Sequence, residues 1–302
     1  MILDKILGIC ILSLPLWAFS SSCKLPDNLV HLEEKIETKP LLNHSDIKRN
    51  VAKMENLCRY LLSFREGKYS WKMVLVYNPQ RSSGPFWFLP HDDERDAFDS
   101  AIYSTRKYGG GFLAVLAHDN RYFNGQDPNR NFGESKQSAK TCRQQKSPAP
   151  IYSKNVFKVI DTFRSSGLPY LALHNNRDGW HGNGGSGGVS ILNSSRVVKS
   201  YPSGSILLGK CKGVKDEDSL VYIAGTSSNP PQSKLNDLIN AGIHVKYEVV
   251  SQKHNDCSMS NYIILNKGSD YYNIETELGD GAAQRKMIDV LMSIIRVTPL
   301  KP

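Results

Sequence analysis

The sequence predicts an α/β protein, a three-layer αβα sandwich built around a mixed, mostly parallel sheet. Short apolar runs that suit buried strands alternate along the chain with amphipathic stretches that suit helices. From residue 71 to residue 118 a strand, a second strand, a helix and a third strand follow one another, an order typical of sheets covered by helices. One sandwich accounts for all these segments, so no second large domain is expected.

The chain begins with a segment typical of exported proteins. Residues 1–20 contain Lys5, an apolar run from Ile6 to Phe19 and a small residue at Ser20, which is the layout of a signal peptide cleaved after Ser20. The run has about 14 apolar residues, whereas a membrane span needs about 20. We therefore expect a secreted or periplasmic protein with no transmembrane helix in the mature chain.

Residues 21–70 are expected to form an N-terminal extension with one helix. The stretch 44–64 has a polar start and an apolar stripe at helical spacing, which predicts an amphipathic helix. The stripe consists of Ile47, Val51, Met54, Cys58, Leu61 and Leu62.

Residues 71–302 are expected to form the main domain, and its elements can be read in order. Buried strands are predicted at WKMVLVYNP, GPFWFLP, GGGFLAVLAH, PYLALH, SLVYIAG, HVKYEVV, NYIILN and DYYNIE. Helices are predicted from Glu94 to Tyr108 and over SKNVFKVIDTFRSSG, SKLNDLINAG and GAAQRKMIDVLMSII.

The composition excludes some classes of partner. The net charge is +9, and signal removal takes away one Asp and one Lys, so it does not change. The basic residues are scattered and form no stripe with aromatic residues, so no nucleic-acid partner is expected. A basic exported protein is better suited to anionic partners such as cell-wall polymers or acidic peptides.

The cysteines fit an oxidising compartment. Beyond the signal peptide five remain, and four of them can form two disulfide bonds whose pairing the sequence does not predict. Lipid attachment at Cys23 is an alternative explanation of the odd number. These cysteines are Cys23, Cys58, Cys142, Cys211 and Cys257.

A histidine and a glutamate stand where the apolar run FWFLP ends, in the segment HDDE. Ligands of open α/β sheets bind beyond the carboxyl ends of strands, so a loop there can aim His91 and Glu94 at one point. Both side chains are zinc ligands in proteins. The alternative is an ordinary polar loop, because H-x-x-E is a common sequence.

A zinc site needs a third protein ligand, and His174 occupies the corresponding position at the end of the predicted strand PYLALH. His118, at the end of GGGFLAVLAH, is an alternative. Two strands that both end in candidate ligands favour a metal site more than either motif alone.

The segment NRYFNGQDPNRNFGE places Arg121, Asp127, Asn129 and Arg130 in one loop. An arginine beside an asparagine can hold a carboxylate, the arginine through its two-pronged guanidinium group and the asparagine through its amide. The alternative is a solvated basic loop in which Asp127 makes turn hydrogen bonds.

The order H-x-x-E, then R…D-x-N-R-x-F, then a strand ending in His-Asn resembles the zinc carboxypeptidase superfamily. It is especially similar to the succinylglutamate desuccinylase/aspartoacylase branch, and residues 70 to 295 can be laid on this pattern. The resemblance implies a zinc carboxypeptidase-like catalytic domain at residues 71–302.

The resemblance also implies a role for each matching residue. His91, Glu94 and His174 would bind Zn²⁺, Asn129 and Arg130 would hold the substrate carboxylate, and Arg121 would polarise the scissile carbonyl or help to anchor the substrate. The family uses a late glutamate as general base, and two candidates, Glu275 and Glu277, lie on one strand face. Glu275 follows the strand DYYNI more directly and is narrowly preferred.

These features together indicate an exported zinc metallohydrolase that cleaves an amide bond next to a free carboxylate. The first candidate is a carboxypeptidase acting on cell-wall or other extracytoplasmic peptides. The alternatives are a deacylase of small N-acyl amino acids and a non-catalytic envelope binding protein of the same fold.

Overall fold

A nine-stranded sheet forms the centre of the protein, with helices on both of its faces. The computed structural model describes residues 23–34, 44–142, 144–176, 189–205, 210–211 and 213–301, and the predicted signal peptide lies outside these ranges. The strands are β1 (Cys58–Glu66), β2 (Tyr69–Tyr77), β3 (Phe86–Leu89), β4 (Gly111–Val115), β5 (Tyr170–Asn176), β6 (Val198–Tyr201), β7 (Gly204–Ser205), β8 (Lys210–Cys211), β9 (Leu220–Gly225), β10 (His244–Val249) and β11 (Tyr271–Glu277).

Seven α-helices are found in the described residues, together with several single turns. The helices are α1 (Ser45–Asn50), α2 (Arg95–Tyr108), α3 (Lys136–Thr141), α4 (Pro150–Phe163), α5 (Gln232–Asn240), α6 (Met259–Tyr262) and α7 (Gly281–Ile294). The 3₁₀ turns are Asp27–Leu32, Ala52–Met54, Pro128–Arg130 and Gln252–His254, and a π-helical turn covers Ile263–Lys267.

Parallel strands occupy the centre of the sheet, whose order is β1-β2-β4-β3-β5-β11-β9-β10-β6. The neighbours β4, β3, β5 and β11 run parallel to one another, and β9 runs parallel to β10. The remaining pairs, β1 with β2, β2 with β4, β11 with β9 and β10 with β6, are antiparallel. β7 and β8 pair separately. The predicted mixed α/β sheet is confirmed.

Both faces of the sheet are buried, which explains why its strands appear as unbroken apolar runs. In β3, Trp87 and Leu89 belong to one core while Phe86 and Phe88 belong to the other, because successive strand residues point to opposite faces. Helices α2, α5 and α7 contribute to the first core, and α4 and α6 to the second.

The predicted helix over 44–64 is wrong in its second half. α1 ends at Asn50, and the residues from Cys58 onward form β1, which pairs with β2 along its whole length. Leu61 and Leu62 then enter opposite cores instead of sharing one helical stripe. Tertiary pairing overrides the helical spacing here, and the predicted domain boundary between residues 70 and 71 falls within β2.

The predicted strand NYIILN is also wrong. This segment forms α6 and the π-helical turn after it. The Ser258 hydroxyl accepts the backbone N–H of Asn261 and so caps the first turn of α6.

Two disulfide bonds are present, as the cysteine content predicts. Cys23 pairs with Cys58 and Cys142 pairs with Cys257. The first bond leaves no thiol on Cys23 for a lipid. Within the described ranges, no helix combines the length and the apolar character that crossing a membrane requires.

Candidate metal centre and substrate cavity

The ends of three neighbouring parallel strands bring the candidate residues to one edge of the sheet. His91 lies two residues beyond β3, His174 lies in β5 and Glu275 lies in β11. Glu275 is the direct register partner of His174. These residues become neighbours in space because the three strands run in the same direction and end at the same edge of the sheet.

Donor atoms of His91, Glu94 and His174 lie within 4.8 Å of one another. His91 Nδ1 is 2.7 Å from Glu94 Oε1 and 3.2 Å from His174 Nδ1, and His174 Nδ1 is 3.1 Å from Glu94 Oε2. Nitrogen and oxygen ligands about 2.0–2.1 Å from a tetrahedral zinc ion stand roughly 3.3 Å apart. These buried donors therefore fit three corners of a zinc site.

Asp127 supports the three candidate ligands from behind. Its Oδ1 lies 2.9 Å from His91 Nε2, the ring nitrogen that faces away from Glu94 and His174. A carboxylate on the outer nitrogen fixes the tautomer and the orientation of a metal-binding histidine. Burial by itself lowers the pKa of His91, but Glu94 and Asp127 together raise it to about 9.

Electrostatics favour an ionised Glu94. Burial opposes its ionisation, but His91 and His174 outweigh that effect and lower the pKa of Glu94 below its ordinary value. Arg121 adds a further positive charge, with its Nη1 3.1 Å from Glu94 Oε1. A carboxylate held in its charged form is the form that binds a cation.

Asp92 and Asp93, which lie between His91 and Glu94 in the sequence, have different surroundings. Asp92 Oδ2 accepts the backbone N–H groups of Ala117 and Asp119, at 2.6 and 3.1 Å. These bonds tie the loop that carries Glu94 to the loop that follows β4. Asp93 instead lies at the surface of the neighbouring cavity.

A cavity of about 860 Å³ opens next to the three candidate ligands. Most of the predicted site residues line it: Glu94, Arg121, Asn129, Arg130, His174 and Glu275. His91 lies behind this lining and is 4 % exposed. The structure therefore brings the predicted metal ligands, anion-binding groups and general base together around one space.

The Asn129–Arg130 pair comes from a 3₁₀ turn capped by Asp127, whose Oδ1 accepts the Asn129 N–H at 2.8 Å. Asn129 Oδ1 in turn accepts the N–H of Met259 at 3.3 Å, so its amide NH₂ is the group left to donate to a ligand. Arg130 Nε pairs with Asp256 Oδ2 at 3.1 Å, which orients the guanidinium group in the cavity wall.

The two glutamates of β11 lie in different surroundings. Glu275 is buried, lines the cavity and accepts a hydrogen bond from Asn273 Nδ2 at 2.9 Å. Glu277 pairs in register with Asn176 at the strand end and is not among the cavity-lining residues. Burial raises the pKa of Glu275 above its ordinary value, while His174 opposes the rise and Glu94 adds to it.

His118, the alternative third ligand, is not part of the described cluster. Its ring stacks on that of His44 with 5.1 Å between centroids. His174 instead reaches His91 and Glu94 from β5.

Three residues of the site were not singled out for their roles by sequence reasoning. The sequence predicts turn hydrogen bonds for Asp127 in the alternative interpretation of its loop, but it does not predict the contact of Asp127 with His91. Asn273 and Glu248, both in the cavity wall, carry no motif at all. Only the pairing of β10, β9 and β11 brings these two residues to the same cavity.

No protein-family model and no curated protein matches the chain. Solved structures that match include a candidate metallopeptidase from Shewanella amazonensis SB2B, with 12% identity, a TM-score of 0.43, and coverage of 85% of this chain and 93% of that one. Two others are a succinylglutamate desuccinylase/aspartoacylase from Rhodobacter sphaeroides and a metallo-carboxypeptidase from Burkholderia cenocepacia. Each has 12% identity and a TM-score of 0.40, and each match covers 67% of that chain. The match covers 82% of this chain in the first case and 83% in the second. Function is therefore inferred from the side chains of this chain.

Proposed function

We propose that the protein is a zinc-dependent hydrolase that cleaves an amide bond next to a free carboxylate, most simply a carboxypeptidase. The observation that carries this proposal is the convergence of His91, Glu94 and His174 at zinc-ligand spacing beside a cavity that also contains Arg130 and Glu275. A zinc site could be structural, but a structural zinc site has four protein ligands, whereas the described residues supply three beside the cavity.

Different residues are proposed to bind the metal and to transfer the proton. Zn²⁺ held by the three ligands would supply a Lewis acid that polarises a carbonyl group and makes water more acidic. Glu275 accepts a proton from water on the cavity side and passes it to the leaving amine. Its raised pKa brings it closer to the working pH of a general base, and Asn273 holds its carboxylate in place.

The substrate carboxylate binds at Arg130 and Asn129. A guanidinium group forms two parallel hydrogen bonds with a carboxylate, and the Asn129 amide adds another donor. Arg121 places its charge next to Glu94, where it stabilises negative charge that develops on the carbonyl oxygen.

The substrate is proposed to be a peptide outside the cytoplasm, with cell-wall peptides as the first candidates. The N-terminal segment has the layout of a signal peptide, and disulfide bonds persist in oxidising compartments. A small N-acyl amino acid is the alternative substrate, because it offers the same carboxylate and amide.

Metal analysis of purified protein tests the proposal first. We expect about one zinc ion per chain, loss of zinc in His174→Ala, and unchanged zinc in His254→Ala, which removes a histidine outside the cluster. Peptides with a free C-terminus and N-acyl amino acids are then assayed with and without a chelator. Cleavage that survives the chelator contradicts the zinc mechanism. Zinc without cleavage of either substrate type indicates a binding protein.

A further inference from the structure

The wall of the cavity formed by β10 and β11 has acceptor groups that the proposed reaction does not use. Asn273 lies in β11 two residues before Glu275, and Glu248 lies near the end of β10. Both residues line the cavity, together with Tyr222 of β9 and Tyr271 of β11.

Asn273 presents an acceptor without a donor. Its Nδ2 donates to Glu275 Oε1 at 2.9 Å, and since a carboxylate only accepts, this bond fixes which end of the amide faces Glu275. The other end, Oδ1, is buried and has no hydrogen-bond partner in the described part of the protein, and the residue is only 6 % exposed. A buried acceptor of this kind is costly unless a ligand supplies an N–H or O–H group.

Glu248 adds a negative charge to the same wall. Its Oε2 accepts the Ser260 hydroxyl at 2.9 Å and its Oε1 accepts Asn261 Nδ2 at 2.6 Å, so neutral donors hold the carboxylate in place. The nearby Arg130 is ion-paired with Asp256.

Among the described residues, the charges in this part of the cavity do not cancel. One guanidinium group, that of Arg130, faces two carboxylates, those of Asp256 and Glu248. A charge that is partly withdrawn from water is stabilised by an opposite charge. Burial and the neighbouring Asp256 raise the pKa of Glu248, so its ionised form would be stabilised by a cationic ligand but not by a neutral one.

We propose that Asn273 and Glu248 form a subsite for an ammonium group on the same substrate residue whose carboxylate binds Arg130. The preferred leaving residue then carries both a carboxylate and a cationic amine, as lysine or a diamino acid does. Tyr222 and Tyr271 provide walls on which the aliphatic part of such a side chain packs. This inference rests on the proposed function, since it specifies the residue that the hydrolase releases.

Binding of the free amino acid tests the subsite without any catalytic step. Titration calorimetry compares L-lysine with L-norleucine, which has a similar aliphatic chain and no side-chain charge. We expect the wild-type protein to bind lysine roughly tenfold or more tightly than norleucine. The Glu248→Gln variant, which keeps the shape and removes the charge, should lose this preference.

Glu34→Gln is the matched control, because Glu34 pairs with Lys72 and does not line the cavity. It should keep the preference for lysine. Equal binding of lysine and norleucine by the wild-type protein overturns the subsite, and this comparison needs no variant to fold. A preference for lysine that survives Glu248→Gln also overturns the assignment.

Hydrolysis separates this inference from the proposed function. Blocked dipeptides ending in lysine and in norleucine are compared by kcat/KM. Faster cleavage of the lysine peptide by about tenfold or more supports both proposals. Equal cleavage of the two peptides overturns only the subsite, whereas cleavage of neither, with lysine-selective binding intact, overturns only the hydrolase.

Discussion

Two side chains of the candidate site are each oriented by a neighbouring residue that contacts them. His91 faces Glu94 with Nδ1, while Asp127 contacts Nε2 from the other side at 2.9 Å. Glu275 faces the cavity while Asn273 holds one of its oxygens. His91 and Glu275 are therefore each oriented by a neighbour, which lowers the cost of arranging them for reaction.

Replacing the two glutamates of β11 one at a time should separate their roles. We expect Glu275→Gln to lower kcat by roughly 10²–10⁴-fold, because the amide cannot accept the proton of water. Glu277→Gln should lower it by less than about tenfold, since Glu277 lies outside the cavity lining. Peptidase kinetics measure both, and metal analysis should show full zinc in each variant. A larger loss in Glu277→Gln would reverse the assignment.

Asp127→Asn should weaken zinc binding by about 10- to 100-fold. The amide can still accept the N–H of His91, but it no longer contributes the negative charge that makes this imidazole a stronger ligand. Competition with a zinc chelator measures the affinity. The control is Asp161→Asn, which removes a surface carboxylate paired with Arg164 and Lys267. Unchanged affinity in Asp127→Asn would show that this residue does not support the metal.

Helices α2 and α7 are joined by a polar cluster as well as by the core they share. Asp289 of α7 accepts hydrogen bonds from Tyr103 and Tyr108 and pairs with Lys107, all at 2.8–3.0 Å. Burial opposes ionisation of Asp289, but the bonds from Lys107, Tyr108 and Tyr103 lower its pKa below the ordinary value.

This cluster makes part of the stability depend on pH. Because the folded state holds Asp289 ionised more strongly than the unfolded state does, its contribution is complete above the ordinary pKa of 3.8 and is lost as the pH falls below it. We expect Asp289→Asn to lower the free energy of unfolding by about 1 kcal/mol at neutral pH and by less near pH 3. Urea unfolding at both pH values measures the difference. The exposed Glu55→Gln serves as control, and an equal loss at both pH values would contradict the account.

The molecule as a whole depends on contacts between segments that are far apart in the sequence. The Cys142–Cys257 bond joins residues 115 positions apart. Cys142 follows the segment that carries Arg130, and Cys257 directly follows Asp256, the ion-pair partner of Arg130. The disulfide therefore clamps the two loops that build the proposed carboxylate site.

The double variant Cys142→Ser/Cys257→Ser should destabilise the protein by about 2–4 kcal/mol, because the unfolded chain regains the freedom that the cross-link removes. It should also raise KM for a carboxylate substrate more than it lowers kcat, since the bond lies beside Arg130 and not beside the metal cluster. Urea unfolding and steady-state kinetics measure the two effects. The double variant Cys23→Ser/Cys58→Ser should lose stability without raising KM, and equal KM effects in both would contradict the clamp.

Much of the fold could be predicted because its signals are local. Both faces of the sheet are covered, so strands such as β3 and β5 appear as apolar runs whichever strand lies beside them. His91, Glu94 and His174 directly follow or end such runs, and parallel strands end at one edge, so their proximity could be expected. The helix prediction at β1 is wrong because the apolar spacing of this segment suits a helix as well as a strand with two buried faces.

The remaining features depend on residues that are distant in sequence. The partner of each cysteine, the support of His91 by Asp127, the different surroundings of Glu275 and Glu277, and the meeting of Asn273 with Glu248 all follow from strand order and loop packing. Spacing along a chain specifies which side of a strand a residue occupies, but not which strand lies beside it. Strand order arises only when the whole sheet buries both of its faces. For this reason the set of residues around the cavity is decided by the tertiary structure.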